Sequence, residues 1–468
     1  MTFFEGLSRF ANNTAVVDVK GDQYSYAQLI QESDRFSAQF APGKKYLVTI
    51  LCTNTIESLI GYLGTLRSGN AALLLAADTD KELLSNLLEL YRPDYVWRPA
   101  GTSSPVAYEY KGYQLAFQNV SREHSLYPGL ALLLSTSGST GSPKLVRLTA
   151  GNVDANASSI AEYLKLTSSE RPITVLPMHY SFGLSIINSH LRVGGTLLLT
   201  GDSIITRHFW DFFKSQKATS FSGVPYTYEV LRRLKFFNMD LPSLKTMTQA
   251  GGKLTPKFAQ EFAEFSHRKG FDFVVMYGQT EATARISYLP PKENLTKYHS
   301  IGIAIPQGEL RLIDEQGKSI TTPNVDGELV YRGPNVMLGY AEREADLATG
   351  DELQGELKTG DIARFDEDGY FYITGLMKRF VKIFGNRVNL DEIEHYLKSL
   401  GYSSICGGRD DLLCVATTDP GKALEIANII ITKYGFHHTA VKAIEVREIL
   451  KSSSGKIQYE KMFEEVLK

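Results

Sequence analysis

The segment from Leu134 to Val146, LSTSGSTGSPKLV, is the part of this sequence that most restricts how the chain can fold. It follows the apolar run of residues 131–134, which has the composition of a short buried strand. Small hydroxyl and glycine residues cannot fill a core, so the pattern predicts a strand that ends in an open loop.

The composition of this loop suits a bound anion. Glycines let backbone N–H groups turn toward an anion, hydroxyl groups donate further hydrogen bonds, and Lys144 adds a positive charge. The alternative is a flexible Gly/Ser connection. A Walker A loop is excluded, because Pro143 precedes the lysine and Leu145 follows it. The candidate phosphate-binding residues are Thr136, Ser137, Gly138, Ser139, Thr140, Gly141 and Lys144.

Residues 136–144 resemble the TSGTTGxPKG signature of the adenylate-forming (AMP-binding) superfamily, which includes acyl-CoA synthetases, luciferases and peptide-synthetase adenylation domains. Leu145 departs from it, since most members have glycine there. The resemblance implies that the loop binds ATP and that Thr140 contributes to a Mg²⁺ site.

A second segment, MYGQTEAT at residues 276–283, resembles the YGxTE motif of the same superfamily. Tyr277 offers a flat face for adenine and is followed by Gly278 in the predicted nucleotide site. Thr280 and Glu281 can reach phosphate oxygens, and Glu281 can bind Mg²⁺. The resemblance implies catalytic roles for both. A strand that ends in a polar turn is the alternative for the octapeptide alone.

Two further motifs lie toward the C-terminus, and they resemble motifs that follow in the same order in the superfamily. In LKTGD, Asp361 is predicted to bind the ribose hydroxyls of ATP, although an aspartate in a tight turn would give the same string. In KSSSGKIQY, Lys456 is the predicted catalytic lysine, whose ammonium would bridge the substrate carboxylate and the α-phosphate. A solvated surface lysine is the alternative interpretation of that string.

Residues 375–394 resemble the hinge between the two domains of the superfamily, with Lys378 as the pivot. Rotation there would let a small C-terminal domain present Lys456 for adenylation and withdraw it for thiol attack. Leu376 stands where the family has a ribose-binding arginine, and whether Arg379 replaces it stays open. Arg387 is a candidate phosphate contact, with an ordinary surface arginine as the alternative.

The segment LPMHYSFGLS resembles the HxxG stretch that lines the carboxylate pocket of acyl and aryl ligases, which assigns His179 and Gly183 to the substrate pocket. His179 either gates that pocket or is a hydrogen-bonded core histidine. The family's α-amino-acid activators have an aspartate near the position of Gly183, and none occurs here, so an acid without that amine is favoured. Gly251 and Gly252 would let the adenine ring approach the backbone.

The length of 468 residues predicts at least two domains, and the superfamily implies an α/β fold. We expect a large N-terminal domain of mixed sheets and helices over residues 1–377, which binds ATP and the acid, and a small mobile α+β domain over 378–468. Apolar runs predict strands, and an amphipathic pattern that stops at Ser68-Gly69 predicts a helix over 57–67. The predicted strands lie at 46–51, 71–75, 174–176, 196–199 and 273–276.

The net charge of −2, without a long basic run, argues against nucleic acid as a partner. No apolar stretch reaches membrane-spanning length. The three cysteines lack the spacing of metal ligands and no secretion signal is visible, so a cytoplasmic location is expected.

The motifs together predict an enzyme that activates a carboxylic acid with ATP and Mg²⁺ through acyl-AMP, releases pyrophosphate and forms a thioester. Coenzyme A is the first choice of acceptor, as in a fatty or aryl acyl-CoA ligase. One alternative is a stand-alone adenylation enzyme that loads the phosphopantetheine thiol of a carrier protein. A noncatalytic adenylate-binding relative is the other, because Leu145 and Leu376 depart from the family pattern.

Overall fold

The computed structural model describes residues 1–101, 106–118, 124–135, 144–376, 379–383, 386–409, 411–451 and 457–467. The helices are α1 (Tyr26–Ser37), α2 (Ile56–Arg67), α3 (Lys81–Tyr91), α4 (Ala150–Tyr163), α5 (Ser181–Val193), α6 (Arg207–Ser215), α7 (Pro225–Arg233), α8 (Pro256–Lys269), α9 (Leu390–Ser399), α10 (Ala423–Tyr434) and α11 (Tyr459–Leu467).

The strands up to residue 304 are β1 (Thr14–Asp18), β2 (Gln23–Ser25), β3 (Leu47–Cys52), β4 (Ala71–Ala76), β5 (Tyr95–Pro99), β6 (Val106–Tyr110), β7 (Tyr113–Phe117), β8 (Leu130–Ser135), β9 (Leu145–Thr149), β10 (Leu197–Leu199), β11 (Ser220–Gly223), β12 (Thr246–Gln249), β13 (Asp272–Tyr277), β14 (Ser287–Tyr288) and β15 (Ile303–Ala304). The later strands are β16 (Glu309–Ile313), β17 (Ser319–Ile320), β18 (Gly327–Arg332), β19 (Gly339–Ala341), β20 (Glu356–Phe365), β21 (Phe371–Leu376), β22 (Phe380–Ile383), β23 (Asn386–Asn389), β24 (Ser404–Arg409), β25 (Leu412–Thr417) and β26 (Val441–Glu445).

The chain divides into two compact units. The first unit comprises Met1–Glu309 and Tyr331–Leu357, and the second comprises Leu310–Val330 and Lys358–Lys468. The predicted boundary between residues 377 and 378 stays a prediction, because both residues lie outside the described part of the chain.

The largest sheet of the first unit has the order β19-β9-β8-β4-β3-β5-β7-β6. Its central strands β3, β4, β5 and β8 run parallel, whereas β9 and β19 add antiparallel pairs at one end. Strand β9 leads directly into α4, because Thr149 forms a capping box with Asn152 at the first turn of that helix. This sheet therefore fixes the positions of the segments on both sides of the predicted phosphate loop.

A second sheet of the first unit has the order β11-β12-β13-β14-β15, in which β11, β12 and β13 are parallel and the last two strands are antiparallel. Aromatic side chains of α6, α7 and α8 form its core, with Phe209, Tyr228 and Phe262 fully buried. Burial of such large side chains is the main source of stability for this layer. The YGQTE segment begins where β13 ends.

The second unit contains the sheets β22-β23 and β24-β25-β26 and most residues of the sheet β17-β16-β18-β20-β21. Helices α9 and α10 cover a core in which Ile393, Leu397, Val415, Ile426 and Ile430 are buried. In the described residues, no helix is long and apolar enough to cross a membrane.

The predicted fold class, mixed α/β with a small C-terminal sheet region, is confirmed. The predicted strands at 46–51, 71–75, 196–199 and 273–276 and the helix at 57–67 are found as β3, β4, β10, β13 and α2. The strand predicted at 174–176 is wrong. Pro172 and Ile173 make isolated bridges, and the Thr174 hydroxyl bonds to the carbonyl oxygen of Thr200. Too few backbone hydrogen bonds remain for a strand before the turn at Pro177.

Candidate active site

The predicted phosphate loop is described only at its two ends. Thr136, Ser137, Gly138, Ser139, Thr140 and Gly141 lie outside the described residues. Strand β8 ends at Ser135 and β9 begins at Leu145, and these two residues are antiparallel partners. The two ends of the loop segment are therefore side by side at one edge of the large sheet.

Lys144, the charged residue of this segment, lies beside Tyr340 of β19. The pairing of β9 with β19 brings them together, and the Lys144 ammonium is 5.6 Å from the centre of the Tyr340 ring. The ammonium also forms a 2.5 Å ion pair with Oε1 of Glu342, and both side chains are more than half exposed. Lys144 is thus accessible and held by a carboxylate that an incoming phosphate could replace.

The same tyrosine also contacts the YGQTE segment. The Tyr340 hydroxyl donates a 2.8 Å hydrogen bond to Oε1 of Glu281, and the Met337 N–H donates to the Glu281 carbonyl oxygen. Partial burial, together with the nearby carboxylate, raises the pKa of Tyr340 above its ordinary value. Lys144 and Glu281, which come from separate sequence motifs, therefore lie on two sides of one aromatic side chain.

The backbone around Gly278 is unusually crowded. A Cβ atom at this position would lie 1.7 Å from the carbonyl oxygen of Ala284, so only glycine fits. The next turn has positive φ at Thr283, 59°, and at Ala284, 125°, which is a strained conformation for alanine. Asn335 holds this turn, because its amide donates to the carbonyl oxygens of Ala282 and Arg285 and its own carbonyl oxygen accepts from Thr283.

Thr280 and Tyr277 occupy different environments within the motif. Thr280 is buried, and its hydroxyl is 3.1 Å from that of Ser181 at the start of α5. Tyr277 is half-buried, and its hydroxyl accepts a hydrogen bond from the Gln279 side chain at 3.2 Å. The motif therefore contacts helix α5, which begins within the segment that contains His179 and Gly183.

The predicted substrate-pocket residues lie around the beginning of α5. His179 is half-buried, and its Nδ1 has no hydrogen-bond partner among the described residues, unlike a satisfied core histidine. Burial lowers the pKa of His179, so the imidazole is neutral at pH 7. At Gly183, a Cβ atom would lie 2.2 Å from the carbonyl oxygen of Pro177, which gives this glycine a packing role.

Two adjacent glycines, Gly251 and Gly252, also lie near the beginning of α5. A Cβ atom at Gly251 would lie 2.6 Å from the Tyr180 hydroxyl, and φ at Gly251 is +78°. At Gly252 a Cβ atom would meet the Pro225 ring at 3.1 Å. Both glycines therefore permit close approach of the backbone to its neighbours, and their contact with adenine stays a prediction.

Asp361 and Leu376 belong to the second unit and are direct partners across β20 and β21. Asp361 is buried, with 5% of its surface exposed, and its N–H donates to the Thr359 hydroxyl at 3.1 Å. Arg387 lies in β23 opposite Lys382. Lys378 and Lys456 lie outside the described residues, so the pivot and the catalytic lysine stay predictions.

Arg379, the possible replacement for the missing arginine, is occupied within the second unit. Its guanidinium forms ion pairs with Asp391 and Glu394 and donates a 3.0 Å hydrogen bond to the Cys406 carbonyl oxygen. It also lies 3.6 Å from the centre of the Tyr459 ring. In this arrangement, the Arg379 guanidinium is engaged by partners within the second unit and is not available to a ribose.

Mg²⁺ fits the donor set of this site. The described residues contain no group of three acidic, histidine or cysteine side chains that could hold a metal by itself. Mg²⁺ is commonly bound by one or two carboxylates together with substrate phosphates, and Glu281 is a partly exposed carboxylate oriented by Tyr340.

Sequence reasoning missed Tyr340, Glu342 and Asn335. They belong to the segment GPNVMLGYAE. Its glycine and proline residues indicate a turn, but they do not indicate which other segments of the chain it contacts. Only the pairing of β19 with β9 brings this segment to Lys144.

A family model described as AMP-binding enzyme matches residues 3–341. The chain belongs to the AMP-binding enzyme family. Within the family, the oxalate–CoA ligase of Arabidopsis thaliana is 32% identical over 272 residues, 57% of this chain and 52% of that protein. The chain thus spans about half the length of this relative. A D-alanine–D-alanyl carrier protein ligase of Lacticaseibacillus casei is 26% identical over 418 residues, 82% of this chain and 79% of that protein.

Solved structures of AMP-binding enzymes share the fold. O-succinylbenzoate CoA synthetase (MenE) from Bacillus subtilis, in complex with its acyl-adenylate intermediate, matches with a TM-score of 0.79 over 98% of this chain and 97% of that one, at 22% identity. ATP-bound MatB from Rhodopseudomonas palustris matches with a TM-score of 0.76 over 100% of both chains, at 20% identity. The fold therefore extends over nearly the whole chain.

Proposed function

We propose that this protein is an AMP-forming acid–thiol ligase. It activates a carboxylic acid with ATP to give acyl-AMP and pyrophosphate, and then transfers the acyl group to a thiol. Membership of the AMP-binding enzyme family supports the first step. The names of the relatives, CoA ligases and a carrier-protein ligase, support the second.

The observation that carries this proposal is the arrangement of Lys144 and Glu281 about Tyr340. The side-chain contacts bring together a cation suited to phosphate and a carboxylate suited to Mg²⁺. The two residues belong to motifs that are distant in sequence, so neither motif alone requires their proximity. Their convergence supports binding of ATP and Mg²⁺.

In the proposed adenylation, a carboxylate oxygen attacks the α-phosphorus and pyrophosphate leaves with its electron pair. The two reacting groups are both anionic, so their approach requires positive charge. Lys144 contributes charge at the phosphates, and Lys456 is proposed to bridge the carboxylate and the α-phosphate. Mg²⁺, bound by Glu281 with Thr140, would supply further charge to the triphosphate.

We assign Tyr277, Gly278, Gly251, Gly252 and the phosphate loop to ATP. The proposed ribose contact is Asp361, and Arg387 is the proposed phosphate contact. The proposed acid pocket adjoins His179 and Gly183, and the absence of an aspartate near residue 183 supports an acid without an α-amine.

The proposed acceptor is coenzyme A. A carrier-protein thiol is the second candidate, supported by the alignment with the D-alanyl carrier protein ligase over 82% of this chain. Thioester formation with supplied acyl-AMP distinguishes them, because coenzyme A and a phosphopantetheinylated carrier protein can be offered separately.

Acid-dependent exchange of labelled pyrophosphate into ATP tests the adenylation step. The panel contains fatty, aryl, hydroxy, dicarboxylic and amino acids. Lys456→Ala is expected to abolish exchange while thioester formation from supplied acyl-AMP is retained. Lys398→Ala, which removes an exposed lysine at the end of α9, is the control and should exchange normally. Normal exchange by Lys456→Ala would refute the role of this lysine. ATP binding without exchange for any acid would favour the noncatalytic alternative.

A further inference from the structure

Among the described residues, the buried arginines are Arg147, Arg285 and Arg379. Arg147 forms an ion pair with Glu352, and Arg379 forms ion pairs with Asp391 and Glu394. A buried charge normally needs such a partner, because removal from water is costly. Arg285 lacks one, since no carboxylate of the described chain lies within ion-pair distance of its guanidinium.

The surroundings of Arg285 are aromatic. Only 2% of the residue is exposed, and its guanidinium carbon lies 4.0 Å from the centre of the Phe182 ring. The Tyr163 hydroxyl, which donates a 3.0 Å hydrogen bond to the Met276 sulfur, interacts electrostatically with the guanidinium, and the Arg285 Nε has no hydrogen-bond partner in the described part of the protein. Tyr163 in turn stacks on Tyr288, with ring centres 4.3 Å apart.

These contacts compensate the positive charge of the Arg285 guanidinium only in part. Burial lowers the pKa of Arg285, although an arginine remains protonated at pH 7. The backbone immediately before it is strained at Ala284, and Asn156 and Asn335 both donate to the Arg285 carbonyl oxygen. The fold thus fixes the backbone at a buried cation that no carboxylate of the described residues neutralises. Strained backbone beside a buried charge is typical of a residue that binds a ligand.

The location of Arg285 indicates which ligand it could bind. Phe182 lies between His179 and Gly183 in sequence, within the segment assigned to the acid pocket. Tyr180 interacts electrostatically with Arg285, and the same tyrosine approaches Gly251. The apolar cluster that contains Phe182 and Tyr180 also includes Ile186, so the guanidinium lies against an otherwise apolar cluster of side chains.

We propose that Arg285 binds a second carboxylate of the acid, at the end remote from the carboxylate that is activated. The preferred substrate class is therefore a dicarboxylic acid. This inference rests on the proposed function for the location of the pocket, and it adds a specificity-determining residue. An incoming carboxylate would receive two parallel hydrogen bonds from the guanidinium and neutralise its charge. An acid with a methyl group at the same place would leave the arginine unpaired.

Matched pairs of acids test the proposal in the wild-type protein. Each pair has the same carbon skeleton, such as octanoate with octanedioate and 4-methylbenzoate with benzene-1,4-dicarboxylate. Acid binding is measured by calorimetry, and turnover by pyrophosphate exchange. We expect at least one dicarboxylate to bind about 10- to 150-fold more tightly than its monocarboxylate partner, the range for hydrogen bonds to a charged group. Equal or weaker binding of every dicarboxylate would overturn the proposal.

The Arg285→Met variant identifies the residue responsible. It should lose the preference for dicarboxylates while its affinity for monocarboxylates stays the same or rises. Equal loss for both classes would instead assign Arg285 to the reacting carboxylate and contradict the proposal. Arg171→Met is the matched control, because Arg171 bonds to Gln216 in the same unit and should leave the preference unchanged.

Two further measurements separate carboxylate binding by Arg285 from a purely structural role of this residue. If Arg285 had only a structural role, Arg285→Met would lower the unfolding temperature and leave the preference intact. Arg285→Lys, which keeps the charge but not the planar fork, should retain part of the preference. If no acid supports pyrophosphate exchange, the proposed function fails, whereas the binding preference still decides the role of Arg285.

Discussion

Replacement of Gly278 by alanine tests the close contact between this residue and the turn at residues 282–285. The new Cβ atom would lie 1.7 Å from the Ala284 carbonyl oxygen, whereas real Cβ contacts are essentially never shorter than 3.0 Å. The carbonyl cannot retreat easily, because the amide of Asn335 holds the residues on both sides of Ala284. Overpacking usually costs about 1–3 kcal/mol, and here a rigid backbone is displaced, so we expect a loss of about 3 kcal/mol or more.

Thermal unfolding followed by circular dichroism measures this loss. Because about 1 kcal/mol corresponds to roughly 1.5 °C for a unit of more than 300 residues, the first transition should fall by roughly 4 °C or more. Gly151→Ala is the matched control, because its Cβ atom would meet only the Thr149 side-chain oxygen, at 3.5 Å, within helix α4. That control should be neutral or stabilising. A Gly278→Ala protein as stable as the control would refute the steric reasoning.

Three further changes test other parts of the molecule. Burial lowers the pKa of His190 from 6.5 to about 4, so the unfolded chain binds more protons between these pH values and stability falls as the pH drops through this window. The loss should approach about 3 kcal/mol, and His190→Asn should flatten the pH dependence of urea unfolding; an unchanged slope would contradict this. Glu342→Gln should strengthen ATP binding, measured by calorimetry, by up to about fivefold, because Lys144 loses its competing partner. Weaker ATP binding by this variant would contradict the proposed competition between Glu342 and the phosphates. Tyr340→Phe should reduce the rate of pyrophosphate exchange about tenfold and raise the Mg²⁺ requirement, because Glu281 loses an orienting hydrogen bond. Wild-type kinetics would exclude that role.

Much of the fold could be predicted from the sequence, because buried parallel strands are continuous apolar runs. This rule identified β3, β4 and β13, and the amphipathic pattern identified α2. The rule failed at residues 174–176, where Thr174 is followed by the apolar residues Val175 and Leu176. There the hydrogen-bonding partners, and not the side chains, decide whether a strand forms, and these partners are distant in sequence.

The site was predictable where one short segment carries the chemistry, as with Lys144 and Glu281. It was not predictable where a residue acts through a distant partner. Tyr340 has no motif of its own, and its role arises from strand pairing. Arg285 is similar, since nothing in the string TARIS shows that this arginine is buried without a carboxylate partner among the residues that the structure describes.

Asn335 links two segments that the chain order keeps apart. Its amide and carbonyl groups bind three residues of the turn at 282–285, while the next residues lead to β19 and Tyr340. A local opening that breaks these bonds would release both segments together. Amide hydrogens on the two sides should therefore exchange with solvent as a single cooperative group. In evolution, the same linkage means that neither segment can drift in sequence without a matching change in the other.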